Sequence, residues 1–234
     1  MEPKLTQESC FYCSAPLYRL KEGSVKCSRC KKKYSLERIR QIQKLINFFC
    51  KDENALSAAK KTGLTYATVS KYFQKFRYLS AEYCESQYEQ FRNGESQYEE
   101  YVYLEKSKRT KKEAIFDSHN FLTFAYGDQV YNILMPSLNM YKHQFLADNL
   151  EDLYYKEFSK FMRTSKIIKV SERYNTITRF WNFFESFIIP YKGVSNEFFP
   201  YYLKEAEFKF NFSYAVREKI LTTLYFHPSN GTDI

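Results

Sequence analysis

Histidine is scarce in this 234-residue chain, and its three copies, His119, His143 and His227, lie far apart. That leaves no histidine-based metal box and no nucleophilic triad. Long apolar runs are missing as well. No stretch approaches the roughly 20 apolar residues that a membrane-spanning helix needs, and nothing at the N-terminus resembles a secretion signal. A soluble, cytoplasmic protein with no membrane partner is therefore expected. Acidic residues are sparse in the first third: residues 1–80 carry 17 Lys plus Arg against 6 Asp plus Glu, a balance of +11 within a total of +9. A module of that charge suits a polyanion partner, because clustered cations bind nucleic acid through phosphate contacts and counterion release; the alternative that charge alone leaves open is a solvated surface.

What the chain has in abundance is aromatic residues, 22 Tyr and 22 Phe, enough for one substantial core plus a small appendage at this length. It also has cysteines at telling positions. Cys10, Cys13, Cys27 and Cys30 form two C-x2-C pairs, the pattern of two knuckles sharing one tetrahedral Zn2+. A ribbon of some thirty residues has too little core to fold alone, so the metal would supply its folding free energy. Two disulfides are the alternative, disfavoured by the lack of a secretion signal. Cys50 and Cys84 stand apart, and Cys50 reads as a small buried residue.

After the ribbon, Leu36, Ile39, Ile42, Ile46 and Phe49 recur at helical steps. Asn54 and its neighbours supply cap chemistry for a second helix with Ala55, Ala58 and Ala59, and Gly63 ends it. A third helix starts near Thr65 with Val69, Tyr72, Phe73 and Phe76 on one face. The spacing Ala59, Gly63, Val69 suits a helix-turn-helix; a plain helical hairpin would show similar apolar spacing but would not need the basic, hydroxyl-rich outer face. In that reading Thr65, Tyr66, Thr68, Lys71 and Lys75 lie toward the major groove of double-stranded DNA or its phosphates. A polar stretch over 81–97 reads as a linker. Strands are expected at 98–105, 119–126 and 129–135, the last two joined by Gly127-Asp128, with a basic loop at 106–112. Helices are expected around 149–163, from Thr176 to Ile189, near 196–211 and near 214–226.

The four-cysteine ribbon and helix-turn-helix, followed by HNFLTFAYGDQVYNILMP, NTITRFW, YKGVS and FPYYLKEAEFKFN, resemble the zinc-ribbon transposases of small bacterial insertion sequences. The likeness covers almost the whole chain and is most specific over 175–211. It implies an α+β architecture: a zinc ribbon (1–35), a helix-turn-helix (36–80), a linker (81–97) and an RNase H-like domain (98–234). It also implies cleavage and joining of DNA at terminal repeats with Mg2+ or Mn2+, by a homodimer that synapses two ends in the nucleoid. Two such ions activate the attacking oxygen and stabilise the leaving one, and carboxylates must hold them. The family set is an Asp on the first strand, an Asp ending a later strand, an Asn opening the helix that carries Phe180-Trp181, and a Lys one turn beyond that pair.

Those positions fall on Glu99, Asp148, Asn175 and Glu185. Glu99 keeps the carboxylate but is one methylene longer, and Glu185 reverses a charge. An alternative alignment makes KIIKV (166–170) the later strand and brings its position near Ser171, with no carboxylate. Glu99 and Glu100 cannot share a face of an alternating strand, and either Asp148 or Asn175 also suits a helix N-cap. The other readings are a transposase-derived DNA-binding protein without activity and a zinc-ribbon regulator with an unrelated helical partner domain, the last of which would make the C-terminal resemblance accidental.

Overall fold

The first turn of structure is built by hairpins around the cysteines. In a computed structural model, residues 5–20, 23–91, 97–108, 116–141 and 175–227 are described. Strands β1 (Leu5–Ser9), β2 (Pro16–Arg19), β3 (Ser24–Cys27) and β4 (Lys33–Ser35) form one antiparallel sheet in sequential order. Its small core is Cys10, Leu17, Val25 and Cys27, with Tyr12 and Tyr34 packed against it.

Ser35 then caps α1 (Leu36–Cys50) by accepting the Arg38 N–H, and the periodic residues Ile39, Ile42, Ile46 and Phe49 are all buried. Asn54 Oδ1 accepts from Ser57 N at 2.8 Å and opens α2 (Ala55–Thr62). Gly63 closes α2 in the left-handed region, φ 71°, where a side chain would be strained. α3 (Tyr66–Phe91) follows.

α3 does not stop at residue 80. The expected linker over 81–97 is helical as far as Phe91, since no Gly or Pro interrupts the chain between Gly63 and Gly94. Its buried stripe of Val69, Phe73 and Phe76 continues through Ser80 and Cys84 at helical steps. Polar residues on the outer face of one long helix had the composition of a boundary.

The second sheet is a meander, β5 (Gln97–Tyr103), β6 (His119–Tyr126) and β7 (Gln129–Leu134), in that order and antiparallel. Gly127, with φ 61°, takes the first position of the two-residue turn that pairs Tyr126 with Gln129. Lys106–Lys108 form a short 3-10 turn, and the rest of the basic loop lies outside the described residues. So do the helix expected at 149–163, Asp148 and Ser171. On one face of the meander, α4 (Thr176–Ile188) and α5 (Phe199–Asn211) enclose Tyr101, Phe121, Phe180, Trp181, Phe184, Phe199 and Leu203. α5 also covers the free edge of β7: Asn211 exchanges two hydrogen bonds with the Val130 backbone, at 2.7 and 2.8 Å. An edge closed in this way cannot template another strand.

The last helix, α6 (Tyr214–Phe226), was expected in the second domain. Instead the chain divides into a first unit of residues 1–80 with 212–234 and a second unit of residues 81–211. Polar contacts made by Tyr214, Arg217 and Glu218 and aromatic contacts made by Tyr225 and Phe226 place α6 in the first unit.

Candidate functional site

The two C-x2-C segments are the turns of two equivalent knuckles. In the first, Cys10 N–H donates to the Ala15 carbonyl at 2.8 Å; in the second, Cys27 N–H donates to Lys32 at 3.0 Å. The residue after each second cysteine, Ser14 or Lys31, has positive φ, 57° and 60°. Backbone N–H groups then aim at sulfur: Tyr12 N to Cys10 Sγ at 3.4 Å, Arg29 N and Cys30 N to Cys27 Sγ at 3.3 and 3.4 Å. Tyr34 Oη accepts from Phe11 N at 3.1 Å and steadies the first knuckle.

All four sulfurs lie within 4.8 Å of one another. Cys10 and Cys30 are 3.7 Å apart and Cys13 and Cys27 3.4 Å. Sulfurs on a tetrahedral Zn2+ at about 2.3 Å are about 3.8 Å from each other, and a disulfide would bring a pair to about 2.05 Å. The donor set fits a thiophilic tetrahedral ion such as zinc. The thiols of the cluster split: burial raises the Cys27 thiol, but the N–H groups of Cys30 and Arg29 outweigh it and lower its pKa to about 6, toward the thiolate a metal requires, whereas burial and the neighbouring sulfurs raise Cys30 to about 12.

At the start of α3, Thr65 Oγ1 accepts from Thr68 N at 3.3 Å and lies 2.9 Å from Thr68 Oγ1. Both hydroxyls thus serve the helix cap. Tyr66 is 57% exposed and Lys71 is exposed. Lys75 lays its ammonium 5.0 Å above the Tyr225 ring.

In the second unit, Glu99 of β5 points to the same side as Tyr101, while Glu100 faces away and is exposed. Asn175 Nδ2 donates to Glu99 Oε1 at 3.3 Å, bringing together two residues far apart in the chain. Asn175 is also the N-cap of α4: its Oδ1 accepts from Thr178 N at 2.8 Å, and Thr178 Oγ1 accepts the Asn175 N–H at 3.0 Å. With its amide oxygen turned to the helix and its nitrogen to Glu99, Asn175 orients that carboxylate. Glu185 accepts from Tyr101 Oη at 2.8 Å. Among the described residues, the four cysteines are the sole group of three or more metal-ligating side chains brought together.

A buried polar row, absent from the expectations drawn from sequence, continues from Glu99. The register aligns Glu99, Thr123 and Asn132 across the three strands. Trp181 Nε1 donates to Thr123 Oγ1 at 2.9 Å, and Thr123 donates to Asn132 Oδ1 at 2.7 Å. Asn132 donates its backbone N–H and its Nδ2 to Glu207 Oε2, at 2.7 and 3.0 Å. Lys204 lies 3.2 Å from Glu207 and 3.1 Å from Glu85, whose other oxygen accepts from Tyr131 Oη at 2.5 Å. Burial pushes the Glu207 carboxyl up, against the pull of Lys204 and Asn132. The signal was present: a two-residue turn at 127–128 fixes the pairing of Thr123 with Asn132, two polar residues amid apolar neighbours. Comparisons of this chain with protein-family models, with curated proteins and with solved structures find no match.

Proposed function

We propose that the chain is a zinc-stabilised DNA-binding protein of the transposase type, binding the terminal repeats of a bacterial insertion sequence and cutting and joining DNA there. The observation that carries this reading is the 3.3 Å approach of Asn175 to Glu99. These two residues are the ones that the resemblance assigns to a single catalytic group. The antiparallel meander with α4 and α5 on one face is the start of an RNase H-like core in this reading. Mg2+ or Mn2+, when bound, would supply Lewis acidity for phosphoryl transfer. Glu99 would be a ligand, held in place by Asn175, and Asp148 the partner carboxylate. The exposed Tyr66 and Lys71 of α3, with Lys75, would meet the DNA, and a homodimer would hold two ends together.

A second reading, DNA binding without cleavage, is favoured by Asn175 using its oxygen as a helix cap and by Glu185 standing where the family has a lysine. The test is incubation of the protein with fragments carrying inverted repeats found beside its gene, with Mg2+ or Mn2+. Activity predicts metal-dependent nicking that Glu99→Gln and Asp148→Asn abolish without weakening binding. Binding without nicking selects the second reading. Failure to bind DNA at low salt would sink both.

A further inference from the structure

A line of rings crosses the first unit from the metal knuckle to α3. Phe11 and Tyr12 lie inside the Cys10–Cys13 knuckle, so two thiolates sharing an ion set their backbone path. Phe226, 1% exposed in the last turn of α6, packs its ring 4.6 Å from Phe11 and 6.2 Å from Tyr12 between centroids. The adjacent Tyr225 reaches the other way, 5.8 Å from Phe76 and 6.4 Å from Tyr72, beneath the Lys75 ammonium. The N-terminal half of α6 is held differently. Asn47 of α1 bonds Tyr214 Oη and donates to Glu218 at 3.1 Å, and Arg217 donates to the Cys50 carbonyl at 3.0 Å. One half of α6 is therefore anchored on α1 and the other on the knuckle.

We propose that Phe226 makes the last turns of α6 a metal-dependent brace for α3. With metal bound, Phe11 and Tyr12 form a fixed seat for Phe226, and that seat holds Tyr225 against Tyr72 and Phe76. Without it the ribbon retains a core of four buried residues, two of which are the ligands Cys10 and Cys27 themselves. So little apolar burial does not hold a ribbon together, and the seat is lost with the ion. Tyr225 then leaves α3, uncovering the helix beside Lys71 and Lys75. The anchors on α1, which involve none of the four ligand cysteines, remain. This coupling rests on the metal site and not on the reading of the chain as a DNA-binding protein.

The experiment is amide hydrogen exchange on the full chain, zinc-loaded and after chelation under reducing conditions, with zinc content measured on the same samples. Amides of residues 221–226 should exchange at least about tenfold faster without zinc, as expected when one part of a helix opens locally. Those of α1 and α4 should change by less than about twofold. In Phe226→Ala the 221–226 amides should already exchange fast with zinc present and should not respond to chelation, whereas Phe226→Leu should restore part of the zinc response. Unchanged protection of 221–226 on zinc loss overturns the proposal, as does a zinc response that survives in Phe226→Ala. Joint loss of α1 and α6 protection in both proteins also overturns it, because the ion would then hold the whole unit. Protein that purifies without zinc overturns the metal site and this coupling together.

Discussion

Glu207 offers the sharpest quantitative test of the second unit. Its carboxylate is 1% exposed and receives two bonds from Asn132 and the charge of Lys204. Glu207→Ala strands the Asn132 backbone N–H and amide nitrogen, each at about 1–3 kcal/mol. Lys204 adds little, because it keeps Glu85 at 3.1 Å. The expected loss is about 2–6 kcal/mol, a large share of the 5–15 kcal/mol of a typical domain. Glu207→Gln keeps an acceptor for Asn132 and should cost only about 1–2 kcal/mol.

The two proteins should also differ in their response to pH. Because burial holds the Glu207 pKa above its ordinary 4.5, the folded state binds this proton more tightly than the unfolded chain does. The stability it contributes is complete below the ordinary value and is lost as pH rises through the folded one. The stability difference between wild type and Glu207→Gln, in which other groups cancel, should therefore shift against the wild type with rising pH. Urea unfolding followed by fluorescence reads this directly, since Trp181 is the one tryptophan and is buried in the same core. A Glu207→Ala cost below about 1 kcal/mol, a Gln variant as damaged as the Ala variant, or a difference moving the other way with pH would refute the reasoning.

Two further outcomes are expected. Protein purified under reducing conditions should carry one zinc, and Cys13→Ser should lose most of it and melt the ribbon, since structural zinc supplies about 10–16 kcal/mol in small domains; elemental analysis with thermal melts checks both. On the proposed DNA-binding reading, Lys71→Ala with Lys75→Ala should weaken DNA binding and lower the salt slope by about 2, at about 0.9 for each phosphate no longer neutralised; an unchanged slope from anisotropy titrations at several salt concentrations would remove α3 from the proposed interface.

Local signals carried much of this fold. The alternation in HNFLTFAY and QVYNILM and the turn between them placed β6 and β7 within a residue, because pleat and turn are properties of neighbouring residues. The cysteine spacing brought four sulfurs to one point for the same reason. Asn175 suits both an N-cap and a partner of Glu99, and it is both. What stayed hidden depends on distant segments. Glu207 meets Asn132 only when α5 lies along the edge of β7, and nothing near Glu207 in the chain names that edge as its partner. The length of α3 was hidden because its outer face is as polar as a linker. The destination of α6 was hidden because the partners of Phe226, Phe11 and Tyr12, stand at the opposite end of the chain.

The return of α6 to the first unit sets an order of events during synthesis. At roughly 5–20 residues per second, the stretch from residue 81 to the end of α6 takes on the order of ten seconds to leave the ribosome. Throughout that interval the knuckles can take up metal, but Phe11, Tyr72 and Phe76 wait with their apolar rings uncovered. A ribosome that stops inside the second unit releases a ribbon and helices with a sticky, unfinished flank. The same topology dictates how the first unit is to be isolated: cutting after residue 80 yields a fragment missing one wall, whereas a linker joining residue 80 to residue 212 keeps both of its segments in one continuous chain.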